Sequence, residues 1–152
     1  MITSDASEII PNLWLGNVHD SQNKNFISHF DAVINCTKDL KFASKYTKNI
    51  RIPIDDNLDK HEILNLYNFL PKITTFIYQQ LGEGLKVFIH CYAGKQRSAS
   101  IVVAFCMKYL NMTLADAIYV LTSKRIIVFT PFINFNAGLI KYSRDIINSP
   151  DV

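Results

Sequence analysis

Val87-Phe88-Ile89-His90-Cys91-Tyr92-Ala93-Gly94-Lys95-Gln96-Arg97-Ser98 reads as a strand end, a tight loop and a helix start. An apolar, β-branched run closes on His90-Cys91. Five residues containing Gly94 follow, and Arg97-Ser98 opens a second apolar run. This order puts a cysteine sulfur at the end of a strand and an arginine at a helix N-terminus. The loop between them is short enough to wrap one oxyanion. A helix start carries unpaired N–H groups and partial positive charge, which together bind phosphate. The same field, with Arg97 nearby, predicts a depressed pKa and a nucleophilic thiolate at Cys91. Gly94 lets the loop backbone take positive φ and turn its amides inward. Arg97 offers a planar fork that pairs with two phosphate oxygens. Such a loop is built to hold a phosphate ester.

Outward from this loop, strands alternate with helices. Leu13–Gly16, Ala32–Cys36, Ile50–Ile54 and Leu85–Ile89 have strand character. Asp20 or Ser21 is expected to cap a short helix running to Phe30. Apolar residues at helical spacing cover His61 to Gln80, with Pro71 as an expected kink or restart. Arg97 to Leu110 reads as a buried helix, and Thr113 caps another reaching about Lys124. Thr130-Pro131 is expected to open a last helix through Ile147. The pattern predicts an α/β fold: a central, mostly parallel sheet flanked by helices, with the phosphate-binding loop between a central strand and a buried helix. Ligands of such sheets sit beyond the carboxyl ends of the strands, where Cys91 falls.

Composition narrows the class. With 49% apolar residues and only 5 Gly and 5 Pro in 152, the chain reads as one globular domain, residues 1–152. It has no apolar run long enough for a membrane span, and Met1–Glu8 lacks the features of a signal peptide. A soluble cytoplasmic protein is expected, with the nucleus as a second compartment. Cys36, Cys91 and Cys106 lack CxxC spacing, so neither a metal site nor a disulfide framework is expected. Cys36 and Cys106 read as packing residues, and a redox role for Cys36 requires closeness to Cys91. Net charge is +3, compatible with anionic substrates and too small to imply nucleic-acid binding. Lys38, Lys41, Lys45, Lys48 and Arg51 read as a solvated face before a docking surface. His19, His29 and His61 show no ligand spacing.

The nine residues His90-Cys91-Tyr92-Ala93-Gly94-Lys95-Gln96-Arg97-Ser98 resemble the signature of the protein tyrosine phosphatase superfamily, in its dual-specificity branch. The likeness extends to Ile9–Gly16, with Trp14 where the family has Tyr, to Val33–Thr37 and to Ile52–Asn57. It covers roughly residues 8 to 145. The resemblance implies a cysteine-dependent hydrolase of phosphotyrosine and phosphoserine/phosphothreonine, with a phosphocysteine intermediate and no cofactor or metal.

A thiolate displaces an alcohol from phosphorus only if the leaving oxygen is protonated, and a carboxylic acid on a loop supplies that proton. The resemblance puts this role on Asp56. Asp55 and Asp59 lie close by, and the stretch from Asp56 into the following helix runs a few residues longer than the family pattern. Ser98 is expected to support the thiolate as leaving group, and His90 to orient the loop. Tyr92, Ala93, Gly94, Lys95 and Gln96 are expected to meet phosphate through backbone amides, with the side chains of Tyr92, Lys95 and Gln96 tuning selectivity. Arg125 resembles an arginine at the pocket rim; complementing a helix C-terminus is the alternative. Ile126–Phe135 departs from the family pattern.

The expected partners are phosphoproteins, with the chain a monomer or weak homodimer; for Trp14 and Phe132 core packing is the default reading and an interface the alternative. Phosphoinositides, suggested by Lys95, and RNA 5′-phosphates are rival substrates for the same chemistry. A phosphoprotein-binding module without turnover and a sulfurtransferase are rivals from other classes.

Overall fold

Alternation along each strand builds a two-faced sheet. In the computed structural model, which describes residues 4–149, β1 (Ser7–Ile10) and β2 (Leu13–Gly16) form an antiparallel hairpin. β3 (Ala32–Asn35), β4 (Lys48–Arg51) and β5 (Val87–His90) complete a sheet of order β1-β2-β5-β3-β4. β2, β5, β3 and β4 are parallel neighbours, as the strand–helix alternation predicts. The first three residues of the Met1–Glu8 stretch and residues 150–152 of the expected domain lie outside the described residues.

Leu13, Leu15, Ala32, Ile34, Val87 and Ile89 face one side. There they meet α3 (Lys60–Gly82), α4 (Arg97–Tyr109), α5 (Leu114–Lys124) and α6 (Asn136–Asn148). Trp14, Val33 and Phe88 face the other side, against Phe26, Ile27 and Phe30. These belong to or follow α2 (Lys24–Ile27), which comes directly after α1 (Val18–Gln22). Trp14 packs edge-on against Phe26 and Phe30, each at 6.1 Å, so it is a core residue and not an interface. Phe132 is exposed. α4 is the central helix: eleven of its thirteen residues, Arg97 through Met107, are buried against the sheet and its helical neighbours.

Some boundaries differ from the sequence reading. The expected helix from Asp20 to Phe30 is two short helices capped by Asn17 and Asn23, because the Asn side chains take the amides of Asp20 and Phe26. Asp20 completes the first cap by accepting the Asn17 amide. The expected strand Ile50–Ile54 begins at Lys48 and ends at Arg51, leaving Ile52–Ile54 as the start of the loop toward the site. Pro71 sits inside one continuous α3. The last helix starts at Asn136, not at Pro131. Gln96 holds residues 130–134 in an irregular loop by donating to the Phe132 carbonyl at 2.7 Å and accepting from the Asn134 amide at 3.0 Å.

Candidate active site

β5 delivers Cys91 to the carboxyl edge of the sheet, and α4 begins at Arg97. Between them the loop carbonyls all point outward into hydrogen bonds. Tyr92 O accepts from Val18 N at 2.8 Å, Lys95 O from Phe129 N at 2.9 Å, and Gln96 O from Ser100 N at 2.8 Å. Ala93 O and Gly94 O accept from Arg125 Nη2 at 3.1 Å and Nε at 2.9 Å. A peptide whose carbonyl points out points its amide in. The amides of Gly94 and Ser98 reach the Cys91 sulfur, and those of Tyr92, Ala93, Lys95 and Gln96 have no protein acceptor among the described residues. Gly94 has φ +66°, and a Cβ there would lie 2.5 Å from the Gly16 carbonyl oxygen. Both its backbone angle and the close approach of β2 therefore demand glycine.

Cys91 is 2% exposed, and its Sγ lies 3.2 Å from Ser98 Oγ. Burial pushes the thiol pKa up. The Arg97 charge, the Ser98 hydroxyl and amide, and the Gly94 amide outweigh it and hold the pKa below its usual value. Arg97 is buried; its Nη1 donates to Ile54 O at 2.9 Å, and its Nε is buried without an acceptor. A buried guanidinium N–H with no protein acceptor, close to a thiol of lowered pKa, is a donor suited to an oxyanion. His90 stacks on Phe88 at 5.6 Å and donates Nδ1–H to the Cys91 carbonyl at 3.2 Å, the tautomer a carbonyl acceptor requires. Burial pushes its pKa down to about 4, so the ring is neutral at pH 7.

The loop floors a cleft of about 300 Å³, walled by Asp56, Tyr92, Thr130 and Asn134. A larger depression near Lys24 and Tyr46, about 660 Å³, is lined by no cysteine and no carboxylate. Of the three candidate aspartates only Asp56 borders the site cleft, where its Oδ1 accepts from Asn134 Nδ2 at 2.8 Å. Asp55 pairs with Lys38, and Asp59 caps α3 by accepting the His61 amide at 2.7 Å. Tyr92 forms one wall, with its ring 5.6 Å from the Arg97 guanidinium and its hydroxyl on the Asp39 carboxylate at 2.9 Å. Lys95 lies at the edge of the cleft, half-buried.

Two side chains sit differently from the expectation. Arg125 lies behind the loop and does not line the cleft. Its remaining donors meet Asp5 O, Asp5 Oδ2 and Ser7 Oγ, so all five N–H groups are engaged. The Gln96 side chain is buried and tied to the 130–134 loop. Lys38 and Arg51 are likewise not free surface charges, since Lys38 bridges Asp55 and Glu62 and Arg51 donates to the carbonyls of Thr37 and Leu40. Asn134 and Asp39 were not anticipated; nothing in the local sequence marks either. Among the described residues no cluster of three His, Cys, Asp or Glu side chains fits a metal ion. No described helix is long and apolar enough to cross a membrane.

A thiolate held in an amide-lined loop, with an unpaired arginine donor beside it and a carboxylate across the cleft, defines a cysteine-based phosphatase site. The profile of the dual specificity phosphatase catalytic domain matches residues 13–145. The chain belongs to that family, the dual-specificity branch of the protein tyrosine phosphatases, and is a cysteine-dependent protein phosphatase domain by that membership. It is 37% identical over 139 residues to protein 123R of Invertebrate iridescent virus 6, which is named as a tyrosine phosphatase, covering 90% of this chain and 88% of the relative. It is 33% identical over 150 residues to human dual specificity protein phosphatase 6, covering 94% of this chain and 38% of that longer protein. Among solved structures, human DUSP28 superposes with a TM-score of 0.84 at 17% identity, over 96% of this chain and 97% of that one. The human tyrosine phosphatase-like serine/threonine/tyrosine-interacting protein superposes with a TM-score of 0.80 at 26% identity, over 93% and 97%.

Proposed function

We propose that this chain hydrolyses phosphotyrosine and phosphoserine/phosphothreonine in phosphoproteins through a phosphocysteine intermediate. The observation that carries the reading is the buried, unpartnered Nε of Arg97 beside a thiol held below its ordinary pKa. A phosphate dianion satisfies that donor and the inward amides of residues 92–96 together. The Cys91 thiolate attacks phosphorus in line with the leaving oxygen. As charge spreads over the three equatorial oxygens, Arg97 and the amides stabilise it without a metal. Asp56 protonates the departing Tyr, Ser or Thr oxygen. The resulting carboxylate then takes a proton from water, which attacks the phosphocysteine. Ser98 Oγ, 3.2 Å from the sulfur, donates to the thiolate as it leaves. His90 and Arg125 hold the loop's outer side, and Tyr92 shapes the wall the substrate side chain lies against. The thiolate requires a reducing compartment, which supports a cytoplasmic or nuclear site of action.

The test is phosphate release, in reductant and EDTA, from phosphotyrosine and phosphothreonine peptides, phosphoinositides and 5′-triphosphorylated RNA, with Cys91→Ser as control. Peptide turnover that disappears in Cys91→Ser is the expected result. Preference for lipid or RNA overturns the substrate assignment and keeps the chemistry. Tight phosphopeptide binding with no Cys91-dependent turnover overturns the enzymatic reading.

A further inference from the structure

The peptide unit between Ile54 and Asp55 is gripped at both ends. Its carbonyl accepts from Arg97 Nη1 at 2.9 Å, and its N–H donates to Glu62 Oε2 at 2.5 Å. Asp56 is the next residue. Glu62 lies in the first turn of α3 and is only 7% exposed, an uncommon place for a carboxylate without a purpose. Its other oxygen accepts from Asn65 Nδ2 at 2.9 Å. Lys38, from the loop after β3, closes the arrangement: its Nζ sits 3.0 Å from Glu62 Oε2 and 2.9 Å from Asp55 Oδ2. The cap of α3 is supplied by Asp59, so the Glu62 carboxylate is not needed by the first amides of its own helix. Its hydrogen-bonding capacity goes instead to the loop that carries Asp56 and to the lysine that pairs with that loop. Glu62 also falls within the stretch, longer than the family pattern, that leads from Asp56 into the helix.

We propose that Glu62, assisted by Lys38, is a positioning residue for the acid step, holding the 54–56 backbone so that Asp56 faces the cleft before substrate arrives. The proposal rests on the reading of Asp56 as general acid. One peptide plane links the phosphate-binding arginine to the acid loop, so an oxyanion bound by Arg97 and a carboxyl group at Asp56 keep a set separation. Releasing the N–H end lets that plane rotate about its flanking bonds. The carboxyl group of Asp56 then swings away while Cys91, Arg97 and the amide cradle remain as they are.

Leaving-group dependence separates this role from a purely structural one. An ester of an acidic phenol, difluoromethylumbelliferyl phosphate, leaves without help from a proton; phosphotyrosine and phosphothreonine do not. Glu62→Ala is expected to lower kcat/KM, which reports only the steps up to the phosphocysteine, by roughly tenfold to a hundredfold on the two phosphopeptides while changing kcat/KM on the activated ester by less than about twofold. The same substrate pattern is expected, more strongly, from Asp56→Asn. Glu62→Gln, which keeps an acceptor for the Asp55 N–H and loses the Lys38 ion pair, should fall between wild type and Glu62→Ala, and so should Lys38→Met. Equal losses on all substrates, or a loss that follows reduced Tm across the four variants, would make Glu62 structural and overturn the proposal. Wild-type rates on every substrate would overturn it as well. A wild-type protein inactive on every substrate would sink the reading of the site itself, a separate failure visible before any variant is made.

Discussion

In the proposed mechanism Cys91, Arg97 and Gly94 carry the chemistry at the scale of single residues, and each is constrained by a different force. For Cys91 the contest is between burial and the surrounding donors, and the donors win. Burial alone acts at Cys106, raising its pKa to about 11, and dominates at Cys36, whose pKa is also raised. Iodoacetamide at near-neutral pH is therefore expected to alkylate Cys91 and leave the other two thiols unmodified, as read by peptide mass. Labelling that begins only in the alkaline range, or spreads evenly over the three, would contradict the depressed pKa. Ser98→Ala should move the labelling midpoint of Cys91 upward. Gly94→Ala places a Cβ against the Gly16 carbonyl and demands positive φ of an alanine. Loop amides should lose their aim, with kcat falling by roughly a hundredfold and Arg97 still in place.

The element scale explains a pair of residues that the chain keeps far apart. β3 and β5 are parallel with Asn35 opposite His90, and Cys36 N donates to His90 O at 2.9 Å. One residue further along, Cys36 and Cys91 leave the two strands side by side. Both lie in the core cluster on the α4 side of the sheet, as Ile34 and Ile89 do two residues earlier. Neighbouring strands run about 4.8 Å apart, and a disulfide tolerates Cα separations from about 4.4 to 6.8 Å. Hydrogen peroxide converts a thiolate to a sulfenic acid; attack by the Cys36 sulfur then forms a disulfide and releases water. Brief peroxide treatment is expected to give a Cys36–Cys91 peptide pair by non-reducing mass spectrometry, with activity restored by dithiothreitol. In Cys36→Ser the same treatment should produce over-oxidised Cys91 and no recovery. If recovery is identical in the variant, Cys36 is a packing residue only.

At the scale of the molecule, His90 ties active-site geometry to stability. Its folded pKa of about 4 lies below the ordinary 6.5, because the buried ring resists charge. The unfolded chain binds a proton there that the folded chain refuses. The stabilisation is therefore complete above about pH 6.5 and is lost as pH falls toward about 4, with about 2 kcal/mol gone between pH 7 and pH 5. Urea titrations at those two pH values should show that loss in the wild type and a smaller one in His90→Asn, which keeps a donor for the Cys91 carbonyl. Equal pH dependence in both proteins would assign the acid sensitivity to other groups.

How far each feature was legible in the sequence follows from the distance over which it is encoded. The phosphate loop is local: strand end, cysteine, turn glycine and helix-opening arginine fall within one short stretch, so chain order alone dictates their neighbourhood. The alternation of strand-like and helix-like stretches along the chain likewise pointed to a sheet flanked by helices. Residues that meet only through the fold were not legible. Asp55, Asp56 and Asp59 are chemically alike in sequence, and Asp56 is set apart by an amide 78 residues away on Asn134. Arg125 reads as a pocket-rim arginine or a helix-end charge until Asp5, 120 residues distant, and the loop carbonyls take up its donors. The grip of Glu62 and the nearness of Cys36 to Cys91 depend on loop closure and strand register. Sequence by itself determined the strand–loop–helix that presents Cys91 and Arg97 and the layered α/β class, because those follow from local order and from the alternation of strands with helices. Only the tertiary structure decided which acid faces the cleft and which charges are already paired, because long-range packing brings those groups together.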